Sequence, residues 1–187
     1  MFESAQTFEA QATAGSWLGD TFGRWADALP RDELAALGHY KGDEYASLNA
    51  ALRRRRELSA EQARQVTLLD RALDRFALAE PVVAYRGFHL VGQPILGAEI
   101  QDLAYVSTSL LRRHAEGFLA LPAEQPFRPA LARVLLPAGT RCGAPDLIEY
   151  LGEVEILLPR RSRFTIHAAT QPSKERPYWA VDLEAAR

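Results

Sequence analysis

An α+β fold, with helices first and strands after, is what this chain predicts. Two observations carry the expectation. Before Pro81, apolar residues recur at helical spacing; after it, β-branched and aromatic residues gather in short runs punctuated by Gly and Pro. Residues 3–14, rich in Ala, Glu and Gln, read as a first helix, and 16–29, stopped at Pro30, as a second. Asp43 is a candidate N-cap, because Tyr45, Leu48 and Leu52 follow at helical spacing. Ser59 and Gln62 make a capping box, and the helix it opens carries Val66, Leu69, Leu73 and Phe76 on one face. Leu78-Ala79-Glu80-Pro81 ends that helix, since the residue before a proline is pushed out of helical backbone. Six strands are expected: 82–87, 104–109, 132–136, 153–158, 163–168 and 178–183. Pro159-Arg160-Arg161-Ser162 is short enough to close a hairpin between the fourth and fifth. Residues 117–131 and 137–152 read as long loops, a feature that in compact domains often goes with function. Residues 1–187 read as a single domain, with a helical portion at 1–80 and a β-rich portion at 81–187.

Composition removes several classes. A chain of 187 residues can bury a sizeable core, and 48% hydrophobic with 25% charged residues is ordinary for a globular protein. The net charge of −2 gives no bulk attraction to nucleic acid or to an anionic membrane. Cys142 is the one cysteine, so no intrachain disulfide forms. No apolar run approaches the roughly 20 residues of a membrane span. The start, MFESAQTFEA, lacks the basic end and apolar core of a signal peptide. His39, His89, His114 and His167 show no ligand spacing, so no metal is expected. Arg53 to Arg56 read as a solvated helix end, with a substrate-docking patch as the sharper alternative.

Three strand motifs stand out together. Glu153-Val154-Glu155-Ile156-Leu157-Leu158 is a hydrophobic strand with two carboxylates. Strand alternation puts Glu153 and Glu155 on one side, about 7 Å apart along the chain, at two rises of about 3.3 Å. Glutamate is depleted in strands and like charges repel, so the pair needs a reason; a wet edge strand is the bland one. Tyr85-Arg86-Gly87 offers a guanidinium fork beside a residue that lets a ligand approach the backbone, although an arginine there also suits a plain surface. Tyr105-Val106-Ser107-Thr108-Ser109 sets Ser107 and Ser109 on one face, where a hydroxyl could orient a carboxylate, or simply edge a sheet. Arg-Gly, Ser-Thr-Ser and Glu-x-Glu in that order are far more specific than any one of them.

On these residues the chain resembles the mono-ADP-ribosyltransferases of the Arg/Ser-Thr-Ser/Glu type, which include Rho-modifying exoenzymes and the catalytic components of iota-like binary toxins. The resemblance runs from about Tyr40 to Leu183 and is densest at 135–140, 152–159 and 163–166. Tyr40, Tyr45 and Asn49 sit at the spacing seen in iota-like enzymes. It implies two facing, mostly antiparallel sheets with the helices packed on them and a cleft for NAD, the co-substrate. Arg86 would bind the NAD phosphate region, and the Gly87 backbone would meet the nicotinamide carboxamide. Ser107 would hold Glu155, with Thr108 and Ser109 supporting the scaffold. Phe118 would stack on nicotinamide, and Asn49 and Tyr45 would lie near the adenosine end. Glu155 would be the catalytic glutamate; Glu153 would face the acceptor, an arginine on a target protein, and Tyr150 would help recognise that protein. One departure is Leu121, where iota-like enzymes carry a phosphate-binding arginine; either Arg112, Arg113 or Arg128 substitutes, or the loop closes differently. The resemblance further implies a bacterial toxin or effector, secreted or injected into a target-cell cytoplasm, with an immunity protein as a candidate second partner. Membrane and nucleic acid are not expected partners. An NAD glycohydrolase and a catalytically dead protein-binding module are the alternatives.

Overall fold

The computed structural model describes residues 2–120 and 127–186, apart from the side chains of Asp43 and Ala120. Helix α1 (Gln11–Ala28) buries Ala14, Leu18, Phe22 and Trp25, a stripe at helical spacing. The first expected helix gives way because Gln6 pairs with the sheet: its amide donates to Pro81 and its carbonyl accepts from Val83. Helix α2 (Arg31–His39) was not expected; it continues through a π-helical turn, Tyr40–Glu44, into α3 (Tyr45–Arg53). Asp43 therefore lies inside a continuous helical run and not at the start of a helix. Helix α4 (Ala60–Asp74) opens on the predicted capping box, Ser59 and Gln62 exchanging two hydrogen bonds of 3.1 Å. Val66, Leu69 and Leu73 are buried, and the Trp25 indole donates to Ala72 O at 2.9 Å. Fully burying each such aliphatic side chain stabilises the fold by about 1.5–3 kcal/mol.

The strands are β1 (Val82–Val91), β2 (Glu99–Gln101), β3 (Val106–Ser109), β4 (Phe127–Leu136), β5 (Glu155–Leu158), β6 (Arg163–Thr170) and β7 (Trp179–Ala185). Helix α5 (Arg112–Gly117) follows β3. The α+β expectation holds. The strands expected as two facing sheets are hydrogen-bonded into one curled, mixed sheet in the order β2-β6-β7-β4-β1-β3-β5. Five of its six pairings are antiparallel; β4 and β7 run parallel. β1 and β4 are in register from Val82↔Leu136 to Val91↔Phe127, whereas β1 meets β3 at one registered pair, Tyr85↔Ser109. The loop expected at 117–131 is thus shortened by the start of β4.

The expected β5–β6 hairpin does not form. β5 is one edge of the sheet and β6 lies beside the opposite edge strand, β2. Four connecting residues span at most about 14 Å, so the sheet must curl until its two ends approach. Hydrogen bonds from Gln101 Nε2 to Arg161 O and from Asp102 N to Ser162 O tie that closure. No helix among the described residues is long and apolar enough to cross a membrane.

Candidate active site

A cleft of about 480 Å³ opens where the π turn and α3 face β1, β3 and α5. Its lining includes Tyr45, Asn49, Arg86, Gly87, Ser107, Thr108, Ser109, Phe118, Glu153 and Glu155. Every site residue expected from sequence is there except Tyr150, which is exposed on the preceding loop. Leu121 lies outside the described residues. None of the three substitutes suggested for it lines the cleft: Arg112 bonds Glu116 and Tyr178, Arg113 bonds Gln11, and Arg128 is exposed on β4. The second arginine of the cleft is instead Arg53, which grips Asp102 through two bonds of 2.9 Å. Arg53 is exposed like Arg54, Arg55 and Arg56, but its ion pair ties it to the cleft wall.

The π turn brings the helical residues together. In an ordinary helix Tyr45 would point about 140° round from Tyr40. One wider turn, with i→i+5 bonding, pulls Tyr45 and Asn49 back towards the face that carries Tyr40 and Lys41. Asn49 is buried; it donates to Tyr40 Oη at 2.8 Å and accepts from Tyr105 N at 3.3 Å. Burial, opposed by the Asn49 hydrogen bond, raises the Tyr40 phenol well above its usual range.

Arg86 gives two of its five donors to the fold. One nitrogen donates to Ser107 O at 2.6 Å and another to Asp102 at 3.4 Å. Burial pulls its pKa down, with Asp102 opposing. Gly87 has a packing reason of its own: a Cβ there would collide with the Ala115 carbonyl of α5 and come within 3.1 Å of Phe118 Cβ. In the Ser-Thr-Ser strand, Thr108 Oγ1 donates to Ile156 O at 2.8 Å and Ser109 Oγ to Glu153 O at 2.6 Å. His114 Nδ1 meets the same carbonyl at 2.9 Å.

The two glutamates converge by a route that strand alternation did not foresee. β5 begins at Glu155, so Glu153 is outside the strand. Between them Val154 has φ of 46°, a left-handed conformation that is an outlier for a β-branched residue. Such strain costs about 1–3 kcal/mol and persists when the surroundings over-determine it. Here Asp146 Oδ2 accepts from Val154 N at 2.6 Å, and Val154 O accepts from Leu110 N at 3.1 Å.

Both carboxylates then reach the ammonium of Lys41, each at 2.6 Å, and Asp146 Oδ1 reaches it at 2.7 Å. Sequence reasoning missed Lys41, whose glutamate partners are remote in the chain, and the hold of Asp146 on Val154. Carboxylate oxygens of Asp146, Glu153 and Glu155 lie within 4.8 Å of one another, a grouping that could hold a metal ion, but the ammonium already sits among them. Burial raises the Glu155 pKa, and Lys41 and the Ser107 hydroxyl pull the other way. For Lys41, burial works downwards, but the surrounding carboxylates outweigh it and its pKa rises.

Comparison with known proteins agrees with this geometry. The family model for the ADP-ribosyltransferase exoenzyme matches residues 14–185, and the chain belongs to that family. The NAD(+)–arginine ADP-ribosyltransferase EFV of Enterococcus faecalis is 29% identical over 161 residues, 80% of this chain and 31% of that protein. The putative NAD(+)–arginine ADP-ribosyltransferase Mav of Mycobacterium avium is 32% identical over 146 residues, 76% of this chain and 16% of that protein. The chain thus spans less than a third of the length of either curated relative. Among solved structures, Plx2a, an ADP-ribosyltransferase toxin from Paenibacillus larvae, superposes with a TM-score of 0.81 at 22% identity, covering 97% of this chain and 99% of Plx2a.

Proposed function

We propose that this chain is a mono-ADP-ribosyltransferase unit that moves ADP-ribose from NAD to an arginine on a target protein and releases nicotinamide. One observation supports this above the others: two glutamates whose carboxylates meet at the floor of the cleft are unequally exposed, the Glu155 side chain at 5% and that of Glu153 at 41%.

The difference in exposure suits a division of labour. Breaking the bond from ribose to nicotinamide sends the electron pair out with nicotinamide and leaves positive charge on the sugar. Glu155, hydrogen-bonded to the ribose, stabilises that charge more than it stabilises the substrate. Arg86 and Gly87 receive the phosphate and carboxamide ends, Phe118 stacks on the ring, and Tyr45 and Asn49 meet the adenosine end. Ser107 keeps Glu155 aimed. A guanidinium is protonated and a poor nucleophile. Glu153, nearer solvent where a protein arrives, aligns it and accepts the proton released as the new bond to the sugar forms. Tyr150, exposed at 74%, contacts the target. No metal enters the scheme. Delivery as a secreted or injected bacterial effector, with an immunity protein guarding the producer, fits the family's toxin members.

The test is transfer from labelled NAD into bacterial and eukaryotic lysates, with nicotinamide release followed in parallel and Glu155→Ala as the control. A discrete labelled band that the variant loses is the expected result. Nicotinamide release without any band would make the chain a glycohydrolase. The absence of both signals would overturn the proposal.

A further inference from the structure

Lys41 has a side chain 3% exposed at the meeting point of three carboxylates. Its ammonium donates to Glu153 and to Glu155 at 2.6 Å each, and Asp146 Oδ1 pairs with the same charge at 2.7 Å. Asp146, itself 3% exposed at the side chain, uses its second oxygen to hold Val154 N, the backbone turn that aims both glutamates. Lys41 and Asp146 thus bracket the Glu153–Glu155 segment from the side chains and from the backbone together.

We propose that Lys41 is a positioning residue for the transfer reaction: anchored on Asp146, its ammonium fixes the Glu155 and Glu153 carboxylates relative to each other and preserves the negative charge on Glu155. The assignment rests on the transferase reading and adds to it the residue that keeps the pair usable. Without Lys41, three carboxylates within 4.8 Å would repel; of the two enclosed ones Asp146 keeps the Val154 amide as a donor, so Glu155 would take up a proton. A protonated Glu155 cannot stabilise a cationic sugar. The other charged or titratable groups facing Glu155 do not replace Lys41. Tyr40 is a neutral phenol beside it on the π turn, and Arg86 on β1 is committed to Ser107 O and Asp102. Glu153 and Asp146 from the preceding loop add negative charge, and His114 on α5 is turned to the Glu153 carbonyl.

The experiment compares the unaltered chain, Lys41→Met and Asp146→Asn. Each is labelled with carboxyl-¹³C glutamate, and the Glu155 signal, assigned by its loss in Glu155→Gln, is titrated by NMR. The pH profile of nicotinamide release is measured alongside. An opposite charge this close lowers a carboxyl pKa by about 1–3 units. Lys41→Met should therefore raise the Glu155 titration and the acid limb of the profile by that amount. Below the limb each unit is a tenfold loss of rate, recovered by raising the pH. Asp146→Asn keeps an acceptor for Val154 N while removing a neighbouring negative charge, so it should move the titration downwards. A Glu155 titration unmoved by Lys41→Met, with loss of thermal stability alone, overturns the proposal. Should Lys41→Met not fold, Lys41→Gln, which keeps a donor and loses the charge, decides: an upward shift supports the proposal and no shift overturns it. An unaltered chain that releases no nicotinamide would sink the transferase reading, while the carboxyl titration would still judge Lys41.

Discussion

The two flanks of β1 are held by different means. Towards β4 the ladder is long, in register from Val82↔Leu136 to Val91↔Phe127, and main-chain hydrogen bonds hold it. Towards β3 there is one registered pair, and beyond it β5 carries Glu155 at the edge of the sheet. That side has a short ladder, the β3–β5 pairs from Val106↔Leu158 to Ser109↔Glu155, and is fastened by side chains as well: Thr108 to Ile156, Ser109 to the Glu153 carbonyl, Asp146 to Val154, and Lys41 to both glutamates. A ladder fixes strands at a set spacing and register. Side-chain ties can hold a left-handed turn that no ladder would tolerate. The proposed chemistry would therefore sit on the flank where side-chain ties supplement a short ladder.

Glu155→Ala should show the contrast most strongly. Removing one preorganised electrostatic group typically lowers the rate by about 100- to 1000-fold, so nicotinamide release should fall at least that far. Arg133→Ala, on the exposed face of the β4 ladder, should leave it unchanged. Equal losses would erase the distinction. Next in size, Glu153→Gln should keep nicotinamide release and lose most transfer to arginine in the labelled assay; intact transfer would remove Glu153 from its acceptor role. Ser109→Ala strips a buried tie and leaves the Leu111 amide without its acceptor, at about 1–3 kcal/mol. Amide exchange on β5 should accelerate while β4 is unaffected; a uniform change would mean that the flank is not separately fastened. Smallest, Ser59→Ala removes the capping box of α4 for about 1 kcal/mol in denaturant unfolding. Here both flanks should respond alike, since the cap touches neither.

What could be read from the sequence divides along the same line. The α4 cap, its buried stripe and six of the seven strands show in local spacing, because their causes lie within a few residues. So do Arg86, the Ser-Thr-Ser strand and the two glutamates. β2, three residues long, is too short for alternation to register. A four-residue link reveals that two strand ends are close, not that the strands pair, and the β5–β6 hairpin failed on that difference. Lys41 sits 112 and 114 residues from its glutamates in a polar stretch without periodicity. Its rarity in this chain was the one available signal. Val154 looks like an ordinary strand residue until Asp146, eight positions back, captures its amide.

The chain writes its positive charges almost wholly as arginine: of 22 basic residues, only Lys41 and Lys174 are lysines. Lys174 is exposed, where either cation would serve. At 41 the choice is not free. A guanidinium spreads its charge over a rigid plane, whereas an ammonium concentrates it at a point, and three carboxylates that converge on one atom suit the second. A compositional drift towards arginine would thus stop at this position. Among related sequences, the lysine-to-arginine exchange would be a poor guide to neutrality here, however common it is elsewhere on the surface.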